Sequence, residues 1–381
     1  MVPSEDAAPV LDVDQILADP GVRIVVCCGA GGVGKTTTAA ALALRAAERH
    51  GRRTVVLTID PARRLAQSLG LTELDNTPRR VKGIDVEGGG ELHAMMLDMK
   101  RTFDDVVLQH TDPAKAAEIF ANPFYQAMSS TFAGTQEYMA MEKLGQLHAR
   151  GEWDLIVVDT PPSRSALDFL DAPARLSRFL DGRMLRLLLA PARSGGRSMF
   201  SFVTASFGMF SKVVQKVLGA QLLTDLSGFV AALDSMFGGF RQRAEQTYRI
   251  LQASETAFLL VATPEPDAVR EAAYFAGRLG AERMPLAGLV LNRVHRPAVG
   301  LDPAASRAAA DRLADLGGHD VTVDVLRAHA GLAQQAAREQ QVARRFTEAF
   351  PAVPTVSVTA QPADVHDVDG LRTIGAAISH P

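Results

Sequence analysis

The stretch GAGGVGKTT, residues 29–37, leaves this chain few folds to choose from. It fits two nucleotide-binding patterns at once. Taken as GxGxxG, Gly29, Gly31 and Gly34 match the dinucleotide fingerprint, with Asp60 at the end of the next strand as the ribose acceptor. Taken as GxxxxGKT, the same residues form a phosphate-binding loop. The residues after Gly34 separate the two readings. Lys35 can reach the β and γ phosphates as a point charge, and the Thr36 hydroxyl can ligate Mg²⁺. Backbone N–H groups from Gly29 through Gly31, Gly32, Val33 and Gly34 to Thr37 can surround phosphates at a helix N-terminus. The phosphate loop therefore wins. Its context agrees: residues 23–28 (RIVVCC) form a short apolar run of strand type, and residues 36–49 an alanine-rich helical run ending at Gly51.

Six further strand-like runs follow, over residues 54–59, 92–97, 155–158, 257–261, 286–291 and 355–358. Helical runs separate nearly all of them. That alternation predicts an α/β fold of the P-loop NTPase type, with a mainly parallel central sheet, helices on both faces and ligands at the carboxyl ends of the strands. The connections between the third and fourth strands, and between the fourth and fifth, are too long for single crossover helices. They read as an inserted α-helical subdomain.

Composition narrows the function classes. Forty basic residues against 43 acidic give a formal charge of −3, so no global basic field points to nucleic acid. The two cysteines, Cys27 and Cys28, are adjacent in a strand and face opposite sides of a sheet, which suits a reducing compartment rather than a disulfide scaffold. The N-terminus is acidic and lacks the basic-then-apolar order of a signal peptide. The longest charge-free apolar stretch, residues 198–211, falls short of the roughly 20 residues a membrane span needs. The expectation is a cytoplasmic protein, not integral to a membrane.

Two acids end apolar strands near the phosphate loop. Asp159, in VVDTPPS, is a candidate to hold Mg²⁺ through water, or more plainly a strand-end aspartate capping the next helix. Asp60 is a candidate catalytic group, orienting or deprotonating an attacking water alongside Lys35; the plain alternative is a turn-forming Asp-Pro. Asn292, in LVLNRV, can hydrogen-bond a base edge or serve turn chemistry. No aspartate follows it in an NKxD pattern, so ATP is preferred over GTP.

Taken in order, GAGGVGKTT, LTIDPARRLAQSLG, VVDTPPS, VATPEPDAV and LVLNRV resemble the ArsA-type ATPases, which include arsenite-pump ATPases and the ATPases that carry tail-anchored membrane proteins. The likeness runs from about residue 23 to the C-terminus. It implies ATP and Mg²⁺ as cofactors and a dimer closed by ATP with the nucleotides at the interface. It implies further that Asp60 polarises the attacking water and that Asp159 belongs to the second switch. Asn292 would lie against the adenine, with Gln361 and Pro362 after the last strand as a second candidate pair. On this basis residues 1–22 are a tail, and 23–98, 151–171 and 254–381 are three parts of an ATPase core. Residues 99–150 and 172–253 are the helical insertions.

The chain departs from the family pattern. Such loops usually carry a second lysine at the position of Ala30, reaching across the dimer to the other subunit's phosphates; alanine cannot supply that charge. A homodimer would be slow, and a heterodimer with a lysine-bearing paralogue is favoured. Neither the arsenite-binding cysteines nor the CxxC pairs of a zinc clamp occur, so metalloid transport and zinc are both disfavoured. Arg164 and Ser165 replace the Gly and His often found in the second switch.

Residues 184–240 are rich in Met, Phe and Leu, with Phe200, Val203, Phe207, Phe210, Val214 and Val217 at helical spacing and a glycine-serine loop at 191–197 beside them. The stripe either packs into a helical layer or forms a deformable groove for a hydrophobic client, an apolar helix or a lipid-like ligand, gated by ATP. The leading expectation is a Mg²⁺-dependent ATPase acting as a dimeric switch, in the cytoplasm or peripherally at a membrane. A partition or site-determining ATPase, acting on DNA or a membrane surface, is one competitor, but the tail DVDGLRTIGAAISHP gives it no basic amphipathic helix. Others are the energising subunit of an anion efflux system and a small-molecule kinase, for which Arg63 and Arg64 would be the beginnings of an arginine lid.

Overall fold

The computed structural model describes residues 9–60, 64–122, 125–126, 135–161 and 242–379. Among them the strands are β1 (Ile24–Cys28), β2 (Arg53–Thr58), β3 (Arg79–Arg80), β4 (Glu91–Met96), β5 (Leu155–Asp159), β6 (Thr256–Ala262), β7 (Leu286–Val294) and β8 (Thr355–Thr359). The helices are α1 (Val13–Ala18), α2 (Lys35–His50), α3 (Arg64–Ser68), α4 (Met99–His110), α5 (Pro113–Ala121), α6 (Thr135–Arg150), α7 (Pro266–Ala281), α8 (Pro303–Leu316), α9 (Asp320–Ala349) and α10 (Val368–Ser379). These residues fall into two compact units. One draws on Met1–Met96, Arg150–Ala166 and Ile250–Pro381, the other on Leu97–Ala149 and Leu167–Arg249.

In the first unit the strands form one sheet in the order β3-β4-β2-β5-β1-β6-β7-β8. Every pairing is parallel except that of β3 on β4. The seven predicted strands are all present, with β7 extending to Val294 rather than stopping at Leu291. The two-residue edge strand Arg79–Arg80 is charged and has no apolar run to announce it.

The central strands β1, β5 and β6 are buried along their whole length, so both faces of the sheet are covered. Val25, Cys27, Val157, Leu259 and Val261 share one core with residues of α1, α2 and α10. Their strand neighbours Ile24, Val26, Phe258 and Leu260 point the other way and are equally buried. Helix α7 packs on β6, β7 and α9. Local chemistry sets the helix ends: Asp302 accepts from the N–H groups of Ala304 and Ala305 ahead of Pro303, and Gly51 closes α2 by donating to the Ala46 carbonyl.

Residues 9–22 lie within the expected N-terminal tail. They belong to the packed unit: Leu11, Val13 and Leu17 are buried, and Val10 bridges to Thr355 of β8. Asp14 of α1 accepts two bonds from the Arg45 guanidinium, at 2.7 and 2.6 Å, and lies 2.9 Å from His50. The Arg45 contact, with help from His50, holds the Asp14 carboxyl below the usual carboxylate range against the opposing effect of its partial burial.

The second unit contains α4, α5 and nearly all of α6. Asp98 and Asp112 cap the first two of these helices. Inside the unit the Tyr125 hydroxyl donates to Asp104 at 2.5 Å, and Arg243 Nε meets both oxygens of the buried Glu142 at 3.0 Å. The 184–240 stripe, the 191–197 loop, Arg164 and Ser165 lie outside the described residues. Among the described residues no helix is long and apolar enough to cross a membrane.

Candidate functional site

Strand order positions the site. The chain leaves β1 for β2 on one side of the sheet, and β5 for β6 passes β1 to the other, so the carboxyl end of β1 is a topological switch point. The loop 29–34 leaves β1 there and runs directly into α2. Its backbone demands glycine at two points. Gly29 passes so close to β6 that a Cβ would sit 2.0 Å from the Val261 carbonyl oxygen. Gly34 has φ +98°, and a Cβ would come within 2.3 Å of Asn292 Nδ2.

Register then brings the acids in. Asp159 lies between Cys27 of β1 and Thr58 of β2 in the parallel ladders. The hydroxyls of Thr36 and Thr58 both donate to its Oδ2, each at 2.8 Å. Its Oδ1 is buried and has no partner among the described residues. Burial pushes the Asp159 carboxyl up to about 6, although the two hydroxyls and Lys35 favour its charged form. Lys35 is itself 5% exposed, and its ammonium donates to the Ala30 carbonyl at 2.7 Å. Burial lowers its pKa, with Asp159 pulling the other way. Asp60 is half-buried, with its N–H on Thr58 Oγ1 at 3.2 Å.

Thr58 and Thr160 were not singled out from the sequence. Thr160 donates to the Cys27 carbonyl at 2.8 Å and fastens the end of β5 to β1. The signal for Thr58 was available: it precedes Asp60 by two residues in a strand whose end faces the loop. The two thiols are buried, and burial drives Cys28 up to about 12 and Cys27 well above the ordinary thiol value, so neither is a nucleophile.

Lys35, Thr36, Asp60 and Thr160 open on a cavity of about 740 Å³. At its phosphate end the loop, α2 and the chain after β2 contribute Gly34, Lys35, Thr36, Asp60 and Arg64; β7 and the segments after β7 and β8 contribute Asn292, Arg293, His295, Gln361 and His366, with Asn292 adjoining Gly34. Asn292 donates to the Val33 carbonyl and accepts from Arg293 N–H, both at 2.9 Å, and Arg293 holds a left-handed φ of 59°. His295 is pinned by Glu339 of α9, which accepts from its N–H at 2.8 Å and pairs with its Nδ1 at 2.7 Å. Gln361 lines the cavity, its amide donating to the Thr359 carbonyl at 3.0 Å. Pro362, its expected companion, is exposed in the turn after β8 and is not part of the lining. Gly29 and Val33 are buried beneath the loop and shape it rather than face the cavity.

The volume is that of a pocket for a ligand of nucleotide size. The chemistry of its phosphate end suits a divalent cation, because a buried carboxylate oxygen without a donor is the group that a hydrated Mg²⁺ seated on the Thr36 hydroxyl would satisfy. Among the described residues no three His, Cys, Asp or Glu side chains cluster as a metal site; Mg²⁺ requires only one or two protein ligands beside phosphate and water.

A parallel sheet with a glycine loop and Lys-Thr at its switch point defines a P-loop nucleoside triphosphatase. The model of the anion-transporting ATPase family matches residues 22–300, and the chain belongs to that family. It is 26% identical over 308 residues to ATPase GET3B of Arabidopsis thaliana, covering 74% of this chain and 67% of that protein. It is 28% identical over 176 residues to ATPase GET3 of Malassezia globosa, which is 46% of this chain and 50% of the relative. Against Protein Rv2184c of Mycobacterium tuberculosis it is 32% identical over 171 residues, 42% of this chain and 39% of the relative. The match thus spans only about half the length of several of the curated relatives.

Proposed function

We propose that the chain is a Mg²⁺-dependent ATP hydrolase working as a nucleotide-gated dimeric switch, paired with a paralogue that has lysine at the position of Ala30, and that it handles a hydrophobic client. One observation carries the nucleotide part: Asp159 has one oxygen held by Thr36, the residue after Lys35, and by Thr58, and the other buried and without a partner among the described residues. The loop amides and Lys35 would bind the phosphates, Thr36 and Asp159 would hold the metal, and Asn292 and Gln361 would face the base. When bound, Mg²⁺ neutralises phosphate charge and fixes the phosphate oxygens for displacement. The protein's part is positioning. Asp60 orients a water whose oxygen bonds to the terminal phosphorus. The bond to the bridging oxygen breaks with its electron pair leaving on ADP, and Asp60 takes the water's proton. The client and partner readings are supported by the resemblance, by Ala30 and by the Met- and Phe-rich run at 184–240.

The test is phosphate release from ATP with no acceptor present, alongside nucleotide affinity by calorimetry. Lys35→Ala is expected to weaken ATP binding by about a hundredfold, the loss of two charge-assisted bonds, and to abolish release. A Lys35→Ala protein that binds and turns over normally would sink the nucleotide reading. The heteromeric part is overturned separately, if the chain alone dimerises on ATP and turns over as fast as relatives bearing the lysine.

A further inference from the structure

The phosphate end of the cavity is short of positive charge. Lys35, whose ammonium donates one bond to the Ala30 carbonyl, is a single positive charge, Asp60 and Asp159 are acids, and Ala30 brings no charge. A triphosphate placed there would add several more negative charges. Among the described residues lining that end, the cations are Lys35 and Arg64. Arg64 follows Asp60 closely in the chain, begins α3 and is exposed; it makes no hydrogen bond or ion pair with any described residue. An unpartnered guanidinium facing the same cavity as Lys35, Thr36 and Asp60 suits a phosphate oxygen pair, because its planar fork donates two parallel bonds where an ammonium offers a point charge.

We propose that Arg64 contacts the terminal phosphate of the nucleotide held by its own chain, supplying in cis part of the charge that Ala30 lacks. This rests on the nucleotide reading above and adds to it a residue that tells ATP from ADP. A lysine from a partner would then act on rate, and Arg64 on recognition of the third phosphate. Two charge-assisted bonds at a partly solvated site correspond to at least about a tenfold preference for ATP.

The experiment is calorimetric binding of ATP and of ADP to the isolated chain, without and with Mg²⁺. Wild type is expected to favour ATP by about tenfold or more. Arg64→Ala should lose that preference while binding ADP as before, Arg64→Gln should do the same with a polar, uncharged side chain in place, and Arg64→Lys should retain a part of it. An unchanged ATP-to-ADP ratio in Arg64→Ala overturns the assignment, as does an equal loss for both nucleotides or a wild type without preference. A wild type that binds neither nucleotide removes the preceding reading, and this one with it.

Discussion

The two ends of the cavity are made by different means. At the phosphate end the backbone does most of the shaping: a loop whose glycines touch Val261 and Asn292, and strand register that sets Asp159 beside Thr58 and Thr36. At the other end separate segments are drawn together by side chains. Asn292 reaches Val33, Glu339 holds His295, and Gln361 tethers to its own strand. At Gly29 this end tolerates almost no change, because the neighbour is the Val261 main chain, which cannot move aside. A side-chain-built site yields by rotamer and by turn, so each of its members should matter less.

The largest expected effect is therefore at Gly29. In Gly29→Ala the new methyl would meet the Val261 carbonyl oxygen at 2.0 Å, at a φ of +153° that side chains rarely adopt. Overpacking and backbone strain together should cost about 3–4 kcal/mol, read as a lower denaturant midpoint. A loss below about 1 kcal/mol would show that the loop gives way and that the two ends do not differ in kind.

Asp159 comes next, and its effect has the opposite sign. Its buried carboxyl is pushed up to about 6, so the folded chain keeps a proton that the unfolded chain gives up near pH 4. The folded state binds more protons between those values. Stability should therefore fall as pH rises from about 4 to 6 and level off above, by about 3 kcal/mol for this group. Asp159→Asn should remove that slope, stabilise the chain above pH 6 and abolish phosphate release. The check is urea unfolding at several pH values beside the hydrolysis assay. A variant less stable at pH 8 would mean that the charged form is the one the fold prefers.

The same contrast explains what could be read from sequence. The phosphate end is announced by nine consecutive residues, of which Gly29, Gly34, Lys35 and Thr36 carry a backbone or charge requirement that few other residues meet. Lys35, Thr36, Asp60 and Asp159 follow from that motif and from apolar strands that stop on an acid. The parallel sheet was legible for the same reason, since strands buried on both faces are continuous apolar runs. The short edge strand Arg79–Arg80 and the packed N-terminal residues were not. Their places depend on partners distant in sequence: Ala94 and His93 for the strand, Arg45 and Thr355 for residues 9–22. His295 and Glu339 escaped notice likewise, because 44 positions separate them and neither stands in a motif.

The smallest of the three effects is expected at Glu339. Its carboxylate is nearly buried and accepts from the His295 N–H, lies on His295 Nδ1, and takes a third bond from Gln335 at 3.0 Å. Glu339→Gln keeps the shape but turns one acceptor into a donor, which then faces a donor. The cost should be about 1 kcal/mol, because the exposed turn can rotate and let water satisfy the displaced group. Hydrogen exchange separates the alternatives. Faster exchange at the His295 amide with the loop amides of 31–35 unchanged is the outcome that the side-chain-built end predicts. Equal acceleration at both would mean that Asn292, bonded to Val33 from the adjoining strand end, transmits the loss, so that the two ends open as one cooperative unit.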